Sequence, residues 1–305
     1  SAASIFLGTL FPMVYQAVTD DLISIGPPYF NIIFVPLMML LFVFVGIGPL
    51  SRWKRTSWVY LAAQLGKVLF ASLVVGLIFP LIALSKFSLA ATITLILASW
   101  IVFAIGKDIS NKVANRRSVL AGLKSLSFSY YGMVLAHIGI AVMLIGAALT
   151  SFFSEERSVL LAPGESVELG GYLFTLEGSE RIEGPNYIGD EAELTVISDG
   201  EPLTSLYPQR RLYVASGTPS TEMAIDAGFF RDLFVTLGEE KGSGAWSMTL
   251  YVKPFVRWIW LGAIFMAIGG TLAAGDKRYR RLRIKAAEKA GMGSKTQTAS
   301  ELQPA

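Results

Sequence analysis

The chain has a single histidine, His137, and this is the residue whose type and position best suit chemistry. It lies about eight residues inside an uncharged apolar run, residues 129–153. An ionisable side chain is costly in a bilayer, so it marks either a functional site or an interhelical hydrogen bond there. A neutral imidazole nitrogen can ligate a metal. His137 is therefore either a metal ligand or a neutral core histidine bonded to a neighbouring helix.

The helix predicted around His137 is rich in small residues. These let a flat or bulky group approach closely, or simply let two helices pack. Three larger residues share the side of His137 by helical spacing and are expected to line an apolar cofactor pocket: Tyr130, Met133 and Leu144. The small residues are Gly132, Ala136, Gly139, Ala141 and Gly146.

Other chemistry is largely excluded. The sequence has no cysteine, which rules out thiol catalysis, iron-sulfur ligation and cysteine-based zinc sites in this chain. The HExxH, GxSxG, P-loop and Rossmann glycine patterns are also missing, so no catalytic residue is predicted. A compact charged cluster is interpreted as an ion-pair corner or a partner contact: Glu222, Asp226, Arg231 and Asp232.

The elements that must position His137 are membrane spans. Hydrophobic residues make up 53% of the 305 residues and charged residues only 16%, against roughly 25% charged in soluble domains. A helix needs about 20 mostly apolar residues to cross a bilayer. Five runs approach that length: 29–50, 68–84, 87–106, 129–153 and 258–275. Residues 3–18 are interpreted as a sixth, truncated helix, and the chain as a fragment.

The distribution of Lys and Arg predicts the orientation, because basic residues stay on the cytoplasmic side. Three segments are basic, and the intervening loops hold only Lys86. This alternation places residues 154–256 outside the cytoplasm. Arg257, Trp258 and Trp260 are expected to anchor the last span at the outer interface. The basic residues are Arg52, Lys54, Arg55 and Lys67; Lys107, Lys112, Arg116, Arg117 and Lys124; and Lys277, Arg278, Arg280, Arg281, Arg283, Lys285, Lys289 and Lys295.

Residues 154–256 have a different character. Short alternating runs separated by Pro-Gly and Asp-Gly turns predict antiparallel strands. Residues 221–237 fit either a strand or a short helix. This segment holds 17 acidic and 7 basic residues, a net charge of −10. Such an acidic surface keeps an exposed domain soluble, and it could also steer a basic protein partner.

The predicted fold class is a polytopic α-helical membrane protein with one extracytoplasmic antiparallel β domain of about 100 residues. Residues 1–153 form a bundle of five spans, the first truncated, and residues 154–256 form a periplasmic β domain. Residues 257–275 are the last span, and residues 276–305 are a basic cytoplasmic tail.

Several strings resemble the CcmF-type cytochrome c biogenesis proteins, the membrane subunit of the bacterial haem lyase. They are ISIGPPYFN (23–31), GIGPLSRWKR (46–55), FSYYGMVLAHIGIAV (128–142), TEMAIDAGFFRDLFVTLGEE (221–240) and GAWSMTLYVKPFVRWIW (244–260). Their order and spacing cover almost the whole chain and match the C-terminal half of that family.

The resemblance implies a haem-binding subunit of a cytochrome c maturation complex in the bacterial inner membrane, which helps attach haem to apocytochrome c in the periplasm. It implies a b-type haem with His137 as an axial iron ligand. The family's tryptophan-rich haem-handling segment and its other histidines have no counterpart here, so this chain alone is not expected to be catalytic. The implied partners are other haem lyase subunits, a periplasmic haem chaperone, apocytochrome c and membrane lipid, with no nucleic acid.

Two other classes of function remain. A transporter or permease subunit is suggested by six spans that contain Gly and Pro, although intramembrane charges are scarce. A structural anchor that presents a β domain to partners is the third possibility.

Overall fold

The computed structural model describes residues 2–19, 21–51, 57–83, 87–242 and 244–275. Basic residues Arg52, Lys54, Arg55 and Lys86 and the predicted tail 276–305 lie outside these ranges. The chain divides into two compact units, and the division cuts through several helices. One unit comprises residues 1–76, 96–141 and 262–305, and the other comprises residues 77–95 and 142–261.

The described residues form seven α-helices. Six of them are long and apolar enough to cross a membrane, so the chain is a multi-pass membrane protein. The fifth helix, α5, is a short amphipathic connector with Ser118 as its N-cap. The helices are α1 (Ala2–Thr19), α2 (Pro27–Ile47), α3 (Trp58–Ala83), α4 (Leu89–Val113), α5 (Val119–Lys124), α6 (Phe128–Phe153) and α7 (Val256–Ala274).

Two spans are longer than the apolar runs predicted. Helix α3 begins at Trp58, ten residues before the run starting at Val68. Helix α4 continues past Gly106 through Lys107, Asp108 and Lys112, which the sequence placed in a loop. Charged side chains can occupy the ends of a span because Lys extends toward the interface. Hydropathy therefore underestimates the length of these helices.

Helix contacts in the first unit rely on close approach at small residues. Helices α6 and α7 approach closely at two points, each with a glycine on both helices. A Cβ on Gly132 would lie 2.5 Å from the carbonyl oxygen of Gly269, and one on Gly139 would lie 2.6 Å from that of Gly262. Seven residues separate the glycines on each helix, so each pair lies on one face. This packing accounts for Gly132 and Gly139, whose role the sequence left open.

Further contacts join other helices of this unit. The Trp100 Nε1 of α4 donates to the Val43 carbonyl oxygen of α2 over 3.0 Å, beside Gly46. The Asn111 side chain of α4 donates to Gln64 of α3 over 3.3 Å. Helix α4 therefore touches both α2 and α3, and its buried side holds Ile101.

The described residues between α6 and α7 form a domain of ten strands, all paired antiparallel. One sheet has the order β1-β10-β9-β8, and the other has the order β2-β3-β4-β6-β7 with β5 also paired to β4. The ambiguous residues 221–237 are strands, not helix. The strands are β1 (Glu155–Leu161), β2 (Ser166–Leu169), β3 (Tyr172–Glu183), β4 (Tyr187–Ser198), β5 (Glu201–Leu206), β6 (Gln209–Tyr213), β7 (Thr218–Glu222), β8 (Ala224–Ala227), β9 (Arg231–Glu240) and β10 (Trp246–Pro254).

The two sheets enclose one apolar core. Alternate residues of the longest strands point into it, as period-two strands require. The Trp246 indole closes one part of the core and donates to Ser179 Oγ over 2.9 Å. The predicted fold class is thus confirmed. Core side chains from both sheets include Phe174, Leu176, Leu194, Val196, Leu233, Val235, Leu237, Met248 and Leu250.

We expect the α6–α7 contact to be intolerant of a side chain at Gly269. A Cβ there would lie 2.5 Å from Gly132 O and from Ala136 N. Gly269→Ala should destabilise the protein by about 1–3 kcal/mol through overpacking. Thermal unfolding in detergent, followed by circular dichroism, measures the loss.

Gly270→Ala is the matched control, because a Cβ at Gly270 meets no atom within 4 Å. It should stabilise the helix by up to about 1 kcal/mol, since Ala has the higher helix propensity. Equal effects of the two substitutions would contradict the close approach.

Candidate haem-ligand site on helix α6

The His137 ring is held by its own helix. It lies nine residues after Phe128, or about 14 Å along the axis at 1.5 Å per residue. Its Nδ1 is 2.8 Å from the carbonyl oxygen of Met133, one turn earlier. A carbonyl has no proton to donate, so Nδ1 carries the hydrogen and donates it. In the neutral ring the lone pair is then on Nε2.

That Nε2 is the atom available for a ligand. Within the described part of the chain it has no hydrogen-bond partner, and the side chain is half-buried. A metal-bound histidine typically donates its other ring N–H to a carbonyl or carboxylate, which fixes the tautomer and the ring orientation. His137 has this arrangement through Met133. The ring is thus suited to give Nε2 to a metal, although its role as ligand stays a prediction.

The side of α6 that carries His137 is directed toward α4. Tyr130 precedes His137 by seven residues and therefore lies on the same side, about 10 Å away along the axis. Its hydroxyl donates to Asp108 Oδ2 of α4 over 2.8 Å. Lys112 lies 3.4 Å from the other oxygen of Asp108 and 5.1 Å from the centre of the Tyr130 ring. Three polar side chains, of which only Asp108 is buried, therefore join α4 to α6 two turns from His137.

The glycines of α6 lie elsewhere. Gly132 and Gly139 are roughly 140–160° around the helix from His137 at 100° per residue. That face is occupied by Gly262 and Gly269 of α7. These glycines therefore pack against a helix, the second of the two alternatives weighed for the small residues, and they do not open the His137 side to a cofactor.

Asp108 is the residue that sequence reasoning missed. It is 6% exposed. In the sequence it follows the apolar run 87–106, where a carboxylate in a loop would carry no special meaning. Its position four residues before Lys112 on a continuing helix was an available signal, since i,i+4 pairs of opposite charge lie on one face. A buried acid with a lysine and a tyrosine serves to fix two helices.

Only part of the charged cluster predicted in the β domain is brought together by the fold. Arg231 pairs with the Asp226 carboxylate and donates from Nε to the Tyr172 hydroxyl over 3.3 Å. Asp232 accepts from the backbone N–H of Gly228 over 3.1 Å. Glu222 instead accepts from Ser220 on its own strand. These contacts support the ion-pair interpretation.

An acidic cleft is a further feature of the β domain. It has a volume of 270 Å³ and is lined by Glu177, Glu180, Glu191, Glu193 and Tyr207. The hydrogen bond from the Tyr207 hydroxyl to Glu193, 3.0 Å long, and the charge of that carboxylate raise the pKa of Tyr207. No group of side chains arranged to hold a metal ion occurs among the described residues. The cleft is therefore an acidic surface without an evident ligand.

Together these features define a class of protein: a multi-pass membrane protein with a β-sandwich inserted before its last span and a ligand-competent histidine within a helix. Residues 152–254 match the family described as "CcmF C-terminal beta-sandwich". The chain is 45% identical over 295 residues to "Cytochrome c-type biogenesis protein CcmF" of Pseudomonas fluorescens and 40% identical over 277 residues to that of Escherichia coli K12.

The chain belongs to the CcmF-type cytochrome c biogenesis family and matches the C-terminal half of its members, which confirms the resemblance. These two matches cover 96% and 91% of the chain but only 44% and 42% of the relatives, so the chain spans less than half of their length. A solved structure named "Cytochrome c Heme Lyase CcmF" agrees with a TM-score of 0.69 at 24% identity, over 90% of this chain and 43% of that one. At this identity the agreement shows the fold alone.

Removing the Tyr130 hydroxyl should weaken the α4–α6 contact. Tyr130→Phe leaves one oxygen of the buried Asp108 without its donor, which should cost about 1–3 kcal/mol of unfolding free energy. Tyr131→Phe is the control, because its hydroxyl donates to Leu123 O at an exposed position, and it should cost only about 0.5 kcal/mol. Thermal unfolding in detergent compares them, and a loss at Tyr131 as large as at Tyr130 would contradict a buried hydrogen bond between Tyr130 and Asp108.

Proposed function

We propose that this chain is part of a haem-binding membrane subunit of a haem lyase, which helps attach haem covalently to apocytochrome c outside the cytoplasmic membrane. The names of its relatives support this role. Because the chain spans less than half of their length, the activity is proposed for a longer polypeptide of which this chain supplies the C-terminal half. The chain itself would contribute a haem ligand and a β domain.

The observation that carries the proposal is the Nε2 of His137. The Nδ1 contact to Met133 O, 2.8 Å long, orients the ring and, in the neutral imidazole, places the lone pair on Nε2. We infer that Nε2 is an axial ligand of a b-type haem, and that the metal is this haem iron. When bound, the haem supplies an iron whose potential depends on its axial ligands and surroundings.

The residues around His137 would orient and shield the haem ligand. Met133 keeps the ring in one tautomer, and the Tyr130–Asp108 contact keeps this side of α6 directed toward α4. The apolar composition of α6 excludes water from the ring. His137 is the only histidine in the sequence, so a bis-histidine site needs its second ligand from outside these 305 residues.

The proposed location is the bacterial inner membrane with the β-sandwich in the periplasm. Basic residues in the described part gather at one end of the helices: Lys107 and Lys112 of α4, followed by Arg116, Arg117 and Lys124 before α6. The contact between Asn111 and Gln64 brings the first part of α3, with Lys67, to the same end. Basic residues on the cytoplasmic side would leave the β-sandwich on the outer side.

This location suits the proposed partners. Other haem lyase subunits, a periplasmic haem chaperone and apocytochrome c would meet the β-sandwich from the periplasm. Its net charge of −10 would attract a basic partner at low ionic strength. No described contact favours a transporter, since the buried Asp108 is already paired with Lys112 and Tyr130.

Removing the imidazole tests the haem site. In a polypeptide of the relatives' full length, His137→Ala should lose or weaken the low-spin b-type haem spectrum, and added imidazole should restore part of it by filling the vacated position. Ile138→Ala, the next half-buried residue of α6, is the matched control and should keep a normal spectrum. An unchanged haem content and spectrum in His137→Ala would make His137 a packing residue.

Limited proteolysis tests the orientation. Protease added to intact spheroplasts should cleave within residues 154–256 and leave residues 276–305 intact, with lysed spheroplasts as the control in which both are accessible. Cleavage confined to residues 276–305 would reverse the topology and remove the proposed periplasmic role.

A further inference from the structure

An aromatic cluster lies where the β-sandwich joins its last membrane helix. Phe229 and Phe230 form the turn between β8 and β9, while Phe255 and Trp258 lie at the start of α7; we call these four residues the collar. The Phe229 and Phe230 rings are 4.9 Å apart, Phe229 is 5.9 Å from Trp258, and Phe255 is 5.0 Å from Trp258. The collar therefore links a β-turn to a membrane span.

The strand register places this turn beside the start of α7. Pro254 at the end of β10 pairs with Arg231 at the start of β9, and Ala227 pairs with Asp232. The span α7 begins at Val256, two residues after Pro254. The turn thus lies beside the first turn of a helix that enters the bilayer.

Backbone hydrogen bonds fix the turn in this place. The Phe255 N–H donates to Phe230 O over 2.9 Å, and Phe255 O accepts from the Trp258 N–H over 3.0 Å. Phe255 has a φ of 57°, in the left-handed region that bulky residues avoid. Such a conformation persists only where its surroundings enforce it. The turn and the helix start are therefore held together.

The residues of this turn are not those typical of a turn exposed to water. A β-turn in solvent normally carries Gly, Asn, Asp, Ser or Pro, yet this one presents two phenylalanines that are 53% and 61% exposed. Trp260, one turn into α7, is 70% exposed. Trp is enriched at membrane–water interfaces, where its amphipathic ring lies at the level of the headgroups, and the phenyl ring of Phe, which has no polar edge, gains by leaving water for an apolar environment. A lipid boundary satisfies all three residues.

Charge around the collar is close to balanced, unlike the rest of the domain. Arg231 is neutralised by Asp226, and the Lys253 ammonium lies 5.2 Å from the centre of the Phe234 ring. Asp232 is buried against the Gly228 N–H, and Arg257 is exposed on α7. A nearly neutral, aromatic surface favours apolar contact over attraction to anionic headgroups.

We propose that the Phe229–Phe230 turn is immersed in the outer lipid boundary beside α7, and so anchors the β-sandwich on the bilayer surface through a second, non-covalent contact. The occupant is the headgroup and upper acyl region of the lipid bilayer, and zwitterionic lipid is sufficient. This contact does not depend on haem or on His137. It would hold the sandwich at one height and tilt above the membrane.

The absence of cysteine from the sequence makes a direct test available. A single cysteine at Phe229→Cys or Phe230→Cys carries a nitroxide label in the full chain, reconstituted into phosphatidylcholine nanodiscs. Val214→Cys is the control, because Val214 is 68% exposed at the β6–β7 turn of the same domain. Power-saturation spectroscopy compares access of apolar oxygen and of a water-soluble nickel chelate to each label.

Labels at 229 and 230 should favour oxygen over the nickel chelate, and the label at 214 should show the reverse. Nickel access at 229 and 230 equal to that at 214 would place the turn in water and overturn the proposal. A label reached by neither reagent would mean a protein contact, which also overturns it.

The unmodified chain provides a second measurement that needs no substitution. A photoactivatable phosphatidylcholine with its reactive group near the top of the acyl chain, mixed into the nanodisc, should modify Phe229 or Phe230, detected by mass spectrometry of the digested protein. Modification of the first turn of α7 without any at residues 228–230 would overturn the proposal.

Discussion

The close contact between helices α6 and α7 is the constraint on which much of this structure depends. Water does not drive helices together inside a bilayer, so their packing relies on van der Waals contact between surfaces that fit closely. Glycines at 132 and 139 face glycines at 269 and 262, and at Gly146 the fit continues against the backbone of Ile259. Because α6 leads into the β-sandwich and α7 leads out of it, the contact between Gly146 and Ile259 brings the domain's two ends to one place. The Thr150 hydroxyl completes the junction by donating to Pro254 O over 2.6 Å.

The same contact assigns separate roles to two faces of α6. One face is used by α7 and has no room for anything larger than hydrogen. The other carries His137 and Tyr130, and Tyr130 is tied to Asp108 of α4. A histidine held by the carbonyl of its own helix needs no polar partner from a neighbour, which leaves Nε2 for a ligand. The glycines that pack against α7 and the candidate ligand His137 thus lie on nearly opposite faces of the helix.

The β-sandwich depends on different forces. Its core is made of alternating apolar residues from two sheets, and burial of that surface from water stabilises it. Its surface is acidic, whereas the ends of the helices that lead to α5 are basic. Where the two environments meet, aromatic rings replace both charge and turn-forming residues. The chain therefore combines a β-sandwich stabilised by burial of apolar surface from water, helices that pack by van der Waals contact, and an aromatic segment that joins them. Each part has a distinct amino-acid composition.

The sequence by itself determined the number of spans, the position of the β domain and the family, because hydropathy, alternation of apolar residues and specific strings are local properties. It also identified His137, since an isolated histidine in an apolar run is conspicuous. Only the tertiary structure decided which side of α6 is free, because this depends on where α7 and α4 lie. Asp108 was missed for the same reason: its hydrogen-bond partner Tyr130 is 22 residues away along the chain. Likewise, the sequence predicted only that residues 229 and 230 belong to a strand or a short helix. The strand register places them in a turn beside α7. Register is determined by pairing between distant segments and not by any pattern within one segment.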